Sequence, residues 1–177
     1  YGAEVEEMLC VAIGSVDSYD FHALEVLQCM AERRKDGETG VVALQALRGD
    51  TVWKALAAGT WQAGGWDPRL FEACLCRSQT LAQAPTYSHR HPTAKQMREW
   101  VKSRPPVAYR IEYADGLKAT MLLMNGLVND FTFAAKLKGQ EEPLSTLFYL
   151  PPTPNVAYSA ALMAQAEETF VTGKAPY

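Results

Sequence analysis

Hydrophobic and polar residues alternate most regularly in the stretch 107–150, and this period of two predicts β-strands. Three alternating runs are separated by Asp115-Gly116 and Asn125-Gly126, and a fourth run ends the stretch. Asp-Gly and Asn-Gly favour two-residue hairpin turns because both residues tolerate the positive φ angles that such turns require. The pattern therefore predicts an antiparallel meander of four strands with one apolar face.

The second face of the predicted meander mixes polar with apolar side chains. Its polar positions are Arg110, Glu112, Lys118, Thr120, Asp130, Thr132 and Lys136. Leu122 and Met124 lie among them, which is more apolar surface than a fully solvated face needs. We expect this face to be partly wet and partly covered by a second subunit or by further chain. The sequence thus predicts a homo-oligomer that pairs through the open sheet face.

Apolar residues at helical spacing predict two longer helices, at 18–35 and 155–171, which we expect to pack on the apolar face of the sheet. The stripe of the first helix is Phe21, Leu24, Leu27 and Met30. Asp17 and Ser18 precede that stripe and can cap the helix. The shorter predicted elements are a strand at 41–47, helices at 51–58, from 67 onward and at 94–103, and loops at 61–66 and 79–93. We predict one domain, 1–177, of the α+β class, with a mostly antiparallel open sheet and helices packed on one face.

Composition narrows the range of functions. The chain has 177 residues, of which 48% are hydrophobic and 21% are charged, as is usual for a globular domain. Its formal net charge of −3 argues against a nucleic-acid partner and against an anionic membrane surface. No apolar run approaches the roughly 18 residues that span a bilayer, and no signal peptide is evident, so we predict a cytoplasmic protein without membrane contact. The four cysteines are scattered, and we expect them to be structural.

Common motifs that hold phosphates, metals or a serine nucleophile are missing from the sequence. Neither G-x-G-x-x-G nor G-x-x-x-x-G-K-[ST] occurs, so this chain has no nucleotide-phosphate loop of its own. No G-x-S-x-G elbow occurs either. His89 and His91 could be two metal ligands, but no third ligand accompanies them, and a solvated loop is the favoured interpretation. We therefore predict no metal site and no cofactor-binding residues within this chain.

The most distinctive candidate for chemistry is His22, in the first turn of the first predicted helix. Asp17, Tyr19 and Asp20 lie beside it in the sequence and form a titratable cluster at the start of the helix. Free backbone N–H groups and the positive end of the helix dipole favour a ligand there. A histidine in this place can act as a general acid or base. The alternative is that His22 is a packing residue beside Phe21.

Four stretches of the chain follow the order of a known domain. They are residues 19–25 (Tyr-Asp-Phe-His-Ala-Leu-Glu), residues 109–116 (Tyr-Arg-Ile-Glu-Tyr-Ala-Asp-Gly), the meander after them and residues 158–176, which end Thr-Gly-Lys-Ala-Pro. Together they resemble the C-terminal domain of Gfo/Idh/MocA-type oxidoreductases, and the first is similar to that family's D-x-G-x-H-x-x-D helix start. His22 matches the family's histidine directly. Ser18 stands where the family has aspartate and Asp20 where it has glycine, as in a divergent branch, and Asp17 or Asp20 could supply the missing acid.

This resemblance implies a substrate-binding and oligomerisation domain of an NAD(P)-dependent oxidoreductase that acts on a small molecule, a sugar, polyol or related hydroxy compound. In that family hydride moves between the nicotinamide and a carbon–oxygen centre. His22 is then the catalytic acid or base, and Asp17, Tyr19 and Asp20 are substrate-binding residues. NAD or NADP would be bound mainly by an N-terminal Rossmann domain. This chain starts at Tyr1 without that domain, so we expect it to be part of a longer protein.

Two other functions are compatible with the same sequence. One is a non-catalytic ligand-binding or scaffold module, and the other is a degenerate enzyme that keeps the fold without turnover. The substitutions at Ser18 and Asp20 keep the second of these open.

Overall fold

The computed structural model describes residues 1–83, 91–101, 105–149 and 157–174. Its strands are β1 (Val5–Ala12), β2 (Val41–Arg48), β3 (Val107–Tyr113), β4 (Lys118–Leu123), β5 (Phe131–Leu137) and β6 (Leu144–Phe148). Its helices are α1 (Asp20–Ala31), α2 (Asp50–Ala58), α3 (Pro68–Arg77), α4 (Ala94–Trp100) and α5 (Ala157–Thr172). The α+β class and the mostly antiparallel open sheet are confirmed. The predicted short strand and short helices are present as β2, α2, α3 and α4, although the predicted end of the last one, residue 103, lies outside the described residues.

The strand order differs from the predicted meander. The six strands are ordered β2-β3-β4-β1-β5-β6, so β1 lies between β4 and β5. It runs parallel to β4 and antiparallel to β5. The turn at Asp115-Gly116 does join a hairpin, between β3 and β4. The turn at Asn125-Gly126 does not form the predicted hairpin, because β1 lies between β4 and β5, the two strands that this turn connects.

Helices cover both faces of the sheet, so the prediction that they pack on one face is wrong. Met8 and Cys10 of β1 belong to a core that includes α1, while Leu9 and Val11 belong to a core that includes α2, α3 and α4. Successive residues of a strand point to opposite faces, and these four are all buried. A strand buried on both faces shows a continuous apolar run rather than alternation. This is why the period-of-two pattern did not reveal β1.

The face of the sheet predicted to be wet is largely buried by this chain itself. Arg110, Thr120 and Thr132 are buried, beneath the side of the sheet that α2 and α3 cover. Arg110 is accommodated there because its guanidinium donates to the carbonyls of Trp61 and Gly65. The covering that was predicted to come from a second subunit or from further chain therefore comes from this chain's own helices.

The first helix is shorter than predicted, and its buried stripe is shifted. Its buried residues are Ala23, Val26, Leu27 and Ala31. Phe21, predicted to be buried, is 56% exposed. Asp17 and Ser18 do not cap the helix, since its N-cap is Tyr19, which makes no capping hydrogen bond through its side chain. Small residues at 23 and 31 let α1 lie close to the sheet, and this favours them over the larger side chains of the predicted stripe.

The last helix forms as predicted but does not pack as predicted. Residue 155, its predicted start, lies outside the described residues. From Ser159 onward its side chains are mostly exposed, and it makes no extensive contact with another described element. Leu162, Met163 and Phe170 are among its exposed apolar side chains. Neither α5 nor any other helix in the described ranges is long and apolar enough to cross a bilayer.

Candidate functional site

The central position of β1 determines where His22 lies. β1 ends at Ala12, and residues 13–19 lead from the carboxyl end of that strand into α1. Gly14 in this connection has φ of +105°, and a Cβ added there would lie 2.4 Å from the Cβ of Tyr19. Glycine is therefore needed for the chain to turn so tightly against Tyr19. The tight turn brings Tyr19 and His22 to the middle of one end of the sheet.

An aromatic cluster surrounds His22. The ring centroid of His22 is 3.8 Å from that of Phe21 and 5.8 Å from that of Tyr19. Phe131, at the start of β5, presents its edge to the same ring at 6.4 Å. His22 and Phe21 are exposed, and Tyr19 is 41% exposed, whereas Phe131 is buried. We call these four side chains the α1 aromatic cluster.

A hydrogen bond between α1 and β3 lies beside this cluster. The hydroxyl of Tyr109 donates to Oδ2 of Asp20 at 3.1 Å, and Oδ1 of Asp20 accepts from the backbone N–H of Phe21. Burial raises the pKa of Tyr109, and the adjacent Asp20 carboxylate raises it further. The phenol therefore stays protonated and keeps donating at neutral pH. Sequence reasoning missed Tyr109 as a site residue, because its contact with Asp20 joins positions 89 residues apart.

The predicted site residues are only partly brought together. Tyr19, Asp20 and His22 lie within the first turn of α1 or directly before it, and they share one end of the sheet. Asp17 is exposed, with φ of +67°, and its carboxylate makes no hydrogen bond with any of these three in the described part of the chain. The ring of His22 makes aromatic contacts there but no hydrogen bond. The site thus presents an exposed imidazole and two exposed aromatic rings next to one carboxylate that is already engaged.

The start of α1 lacks the features that usually hold a dinucleotide. The turn before α1 is not the glycine-rich loop that holds a pyrophosphate. The carboxylate of Asp20 occupies the first turn of α1 and accepts a hydrogen bond from one of its free N–H groups. A negative charge at that point disfavours a phosphate at the start of α1. Among the described residues, no group of three or more His, Cys, Asp or Glu side chains is placed to hold a metal ion.

A second histidine lies near a cysteine on the other side of the sheet. Nε2 of His91 is 3.2 Å from Sγ of Cys76. His91 also lines an open, mostly apolar cavity of about 330 Å³ between α2, α3 and α4. His89, its predicted companion, lies outside the described residues.

Comparisons with known proteins add no relative: no protein-family model, no curated protein and no solved structure matches this chain.

Proposed function

We propose that this chain is the substrate-binding domain of an NAD(P)-dependent oxidoreductase-like protein that acts on a sugar, a polyol or a related hydroxy compound. The observation that carries the proposal is the exposed imidazole of His22 in the first turn of α1, flanked by the exposed rings of Phe21 and Tyr19. The resemblance to the Gfo/Idh/MocA-type C-terminal domain gives the reaction class, and this geometry supports the site.

Each part of the α1 aromatic cluster suits a hydroxylated carbon skeleton. Aromatic faces pack against C–H groups, while a few fixed polar groups orient the hydroxyls, which is the usual composition of a small-molecule site. Asp20 is held in place by Tyr109, so its carboxylate is a fixed acceptor rather than a mobile one. His22 would take the proton of the reacting hydroxyl, or return it. Because this chain has no glycine-rich loop of the kind that holds a pyrophosphate, a domain outside this chain would bind NAD or NADP.

The decisive experiment replaces His22 in the complete protein that carries the dinucleotide-binding domain. His22→Ala should lower turnover by roughly 10²–10⁴-fold, the usual contribution of a general acid or base. The same change should alter the free energy of unfolding by no more than about 1 kcal/mol, because an exposed ring leaves no core cavity. A large loss of stability with unchanged activity per folded molecule would make His22 a packing residue.

Binding can be examined on this chain alone with matched variants. In an NMR titration with a panel of sugars and polyols, resonances of the α1 aromatic cluster should shift. Phe21→Ala should abolish those shifts, whereas Phe170→Ala, on α5, should not, although Phe170 is even more exposed at 88%. Calorimetric titration with NAD or NADP should show no binding to this chain, since it lacks a pyrophosphate loop. Micromolar dinucleotide binding here would mean that the cofactor site has been misplaced.

One observation favours a second candidate, a non-catalytic ligand-binding module. A catalytic histidine is commonly oriented by a carboxylate or another partner on its ring nitrogen. No hydrogen bond, from Asp17 or from another residue, holds the ring of His22 within the described ranges. If this module binds without chemistry, His22→Ala weakens polyol binding to this chain, and the complete protein shows no His22-dependent turnover. A degenerate enzyme would also show weaker polyol binding on His22→Ala and no His22-dependent turnover. It would differ from a binding module because the complete protein would still bind the dinucleotide.

A further inference from the structure

Cys76 and His91 form a thiol–imidazole pair that has no part in the function proposed above. Cys76 lies in the last turn of α3 and His91 lies just before α4, and Nε2 of His91 is 3.2 Å from Sγ of Cys76. Both side chains are exposed. An unprotonated Nε2 of a neutral imidazole accepts the proton of a thiol, and the thiolate is the nucleophilic form of cysteine. A cysteine beside a base is the arrangement that activates a nucleophile.

A capping box fixes the chain directly after His91. The hydroxyl of Thr93 accepts the N–H of Gln96, and Oε1 of Gln96 accepts the N–H of Thr93. These two hydrogen bonds set the direction in which the chain enters α4, and the ring of Pro92 restricts the backbone between His91 and the cap. The imidazole is therefore presented to α3 from an anchored helix start.

The thiol–imidazole pair borders the cavity between α2, α3 and α4. The apolar lining of this cavity includes Trp53, Leu56, Phe71, Leu75 and Met97. His91 lines it directly, and so does Glu72, which lies one helical turn before Cys76 and therefore on the same face of α3. Its volume of about 330 Å³ is that of a small-molecule site. A nucleophile beside an apolar cavity of this size suits a ligand whose apolar chain ends in an electrophilic carbon.

The other three cysteines of the chain do not offer Cys76 a disulfide partner. Cys74 is buried, and its thiol donates to the carbonyl of Leu9 in the sheet. Cys10 is buried within β1, and Cys29 belongs to α1, on the opposite face of the sheet. Chemistry at Cys76 that needs a second thiol of this chain is therefore disfavoured, whereas transfer of an acyl group to the thiol needs none.

We propose that Cys76 is an acylation site, which accepts a medium-chain aliphatic acyl group from a thioester and holds the acyl chain in the cavity. The thiolate of Cys76 attacks the carbonyl carbon and forms a new S–C bond, and the S–C bond of the donor thioester breaks. His91 takes the proton of Cys76 and delivers it to the departing thiolate. The products are acylated Cys76 and a free thiol, so neither an oxidant nor a reductant is required. This site is independent of the one around His22, which lies with α1 on the other face of the sheet.

Mass spectrometry of the chain incubated with a simple thioester tests the acylation. With the octanoyl thioester of N-acetylcysteamine, one octanoyl group should be attached to Cys76 and released by hydroxylamine. The acetyl thioester at equal concentration should react at least roughly 10-fold more slowly, because each methylene that the cavity buries favours binding about fourfold. His91→Gln should slow octanoyl transfer by roughly 10²-fold, the contribution of a general base. Lys95→Gln, at an exposed position of α4, is the control and should not slow it.

Ala57→Phe tests the cavity separately from the thiol–imidazole pair. Ala57 is exposed and lines the cavity, so a phenylalanine there occupies part of it without entering the core. This variant should lose the preference for octanoyl over acetyl, while acetyl transfer and alkylation by iodoacetamide continue at the parent rate. Ala161→Phe, on α5, should keep the preference, and circular dichroism checks that all variants stay folded. Any of three results would overturn the proposal: octanoyl transfer unchanged in His91→Gln, equal rates for the two thioesters, or acylation of Cys29 as fast as that of Cys76.

Discussion

Replacing Arg110 by methionine should release the loop between α2 and α3 from the sheet. The guanidinium of Arg110 donates to the carbonyls of Gly65 and Trp61 and to the side chain of Gln45. It also stacks over the ring of Trp61, 4.0 Å from the centroid. Methionine keeps most of the apolar length of the side chain but offers no donor. The change therefore isolates the polar connection between β3 and this loop.

The expected loss follows from what each acceptor does afterwards. Gln45 is exposed and Trp61 is half-buried, so both can hydrogen-bond to water instead. The carbonyl of Gly65 is buried, and losing its charged donor costs about 1–3 kcal/mol. Loss of the stacking on Trp61 adds roughly 0.5–1 kcal/mol. Because removing a buried guanidinium also removes its desolvation cost, we expect a net loss of about 2–3 kcal/mol.

Thermal and urea unfolding measure this loss. For a chain of 177 residues, each kcal/mol corresponds to roughly 2–4 °C in Tm, so Arg110→Met should melt about 4–12 °C lower. Arg69→Met is the control, because the ion pair of Arg69 with Asp67 is at the surface, where such pairs contribute at most about 1 kcal/mol. Hydrogen exchange at Gly65 should also accelerate in the Arg110 variant. A Tm within 2 °C of the parent, about what 1 kcal/mol would give, would refute the reasoning.

Two further predictions concern titratable groups. Burial acts to raise the pKa of Asp115, but the N–H of Leu117 and the Arg34 guanidinium outweigh it, so the pKa is lowered. The Asp115 carboxylate therefore stabilises the fold at pH values above its ordinary pKa, and this stabilisation is lost as the pH falls below that value. Asp115→Asn should lower the free energy of unfolding by about 1 kcal/mol at pH 7, and this difference between variant and parent should shrink below about pH 4. A difference that stays constant from neutral to acid pH would contradict the prediction. Burial raises the pKa of Cys74 to about 12, while Cys76 is exposed. Iodoacetamide should therefore modify Cys76 first, as measured by mass spectrometry. Equally fast labelling of both cysteines in the native state would exclude the burial of Cys74.

Local chemistry along the sequence determined several elements correctly. Asp67 accepts the N–H of Arg69 and Pro68 occupies the first turn, so α3 begins at Pro68, beside the start predicted at 67. The turn at Gly116 joins a hairpin, and Gly59 ends α2 in the left-handed conformation. These features depend on interactions within four residues. A sequence pattern records such interactions directly, whatever the rest of the chain does.

The candidate site was predictable only in part. The placement of His22 in the first turn of α1 followed from helical periodicity, and the structure leaves its ring exposed. The contact between Tyr109 of β3 and Asp20 of α1 could not be predicted from the sequence. In the sheet β4 lies between β3 and β1, so α1 must lie across both β1 and β4 for Asp20 to reach Tyr109. The absence of a hydrogen bond between Asp17 and His22 within the described residues also depends on the path of the connecting loop.

Tertiary structure alone decided the strand order and the burial of charge. The turn at Asn125-Gly126 has good hairpin chemistry, yet β1 pairs between the strands on either side, since an apolar strand gains most from burial on both faces. The sequence alone predicts Arg110 to be a surface residue. In the folded chain α2 and the loop after it cover Arg110, and the carbonyls of that loop accept its hydrogen bonds and so allow its burial. The strand order and the burial of Arg110 are both set by competition among distant segments for the same positions in the centre of the sheet. A pattern of period two predicts only which face of the sheet a side chain lies on, not which other segment will cover that face.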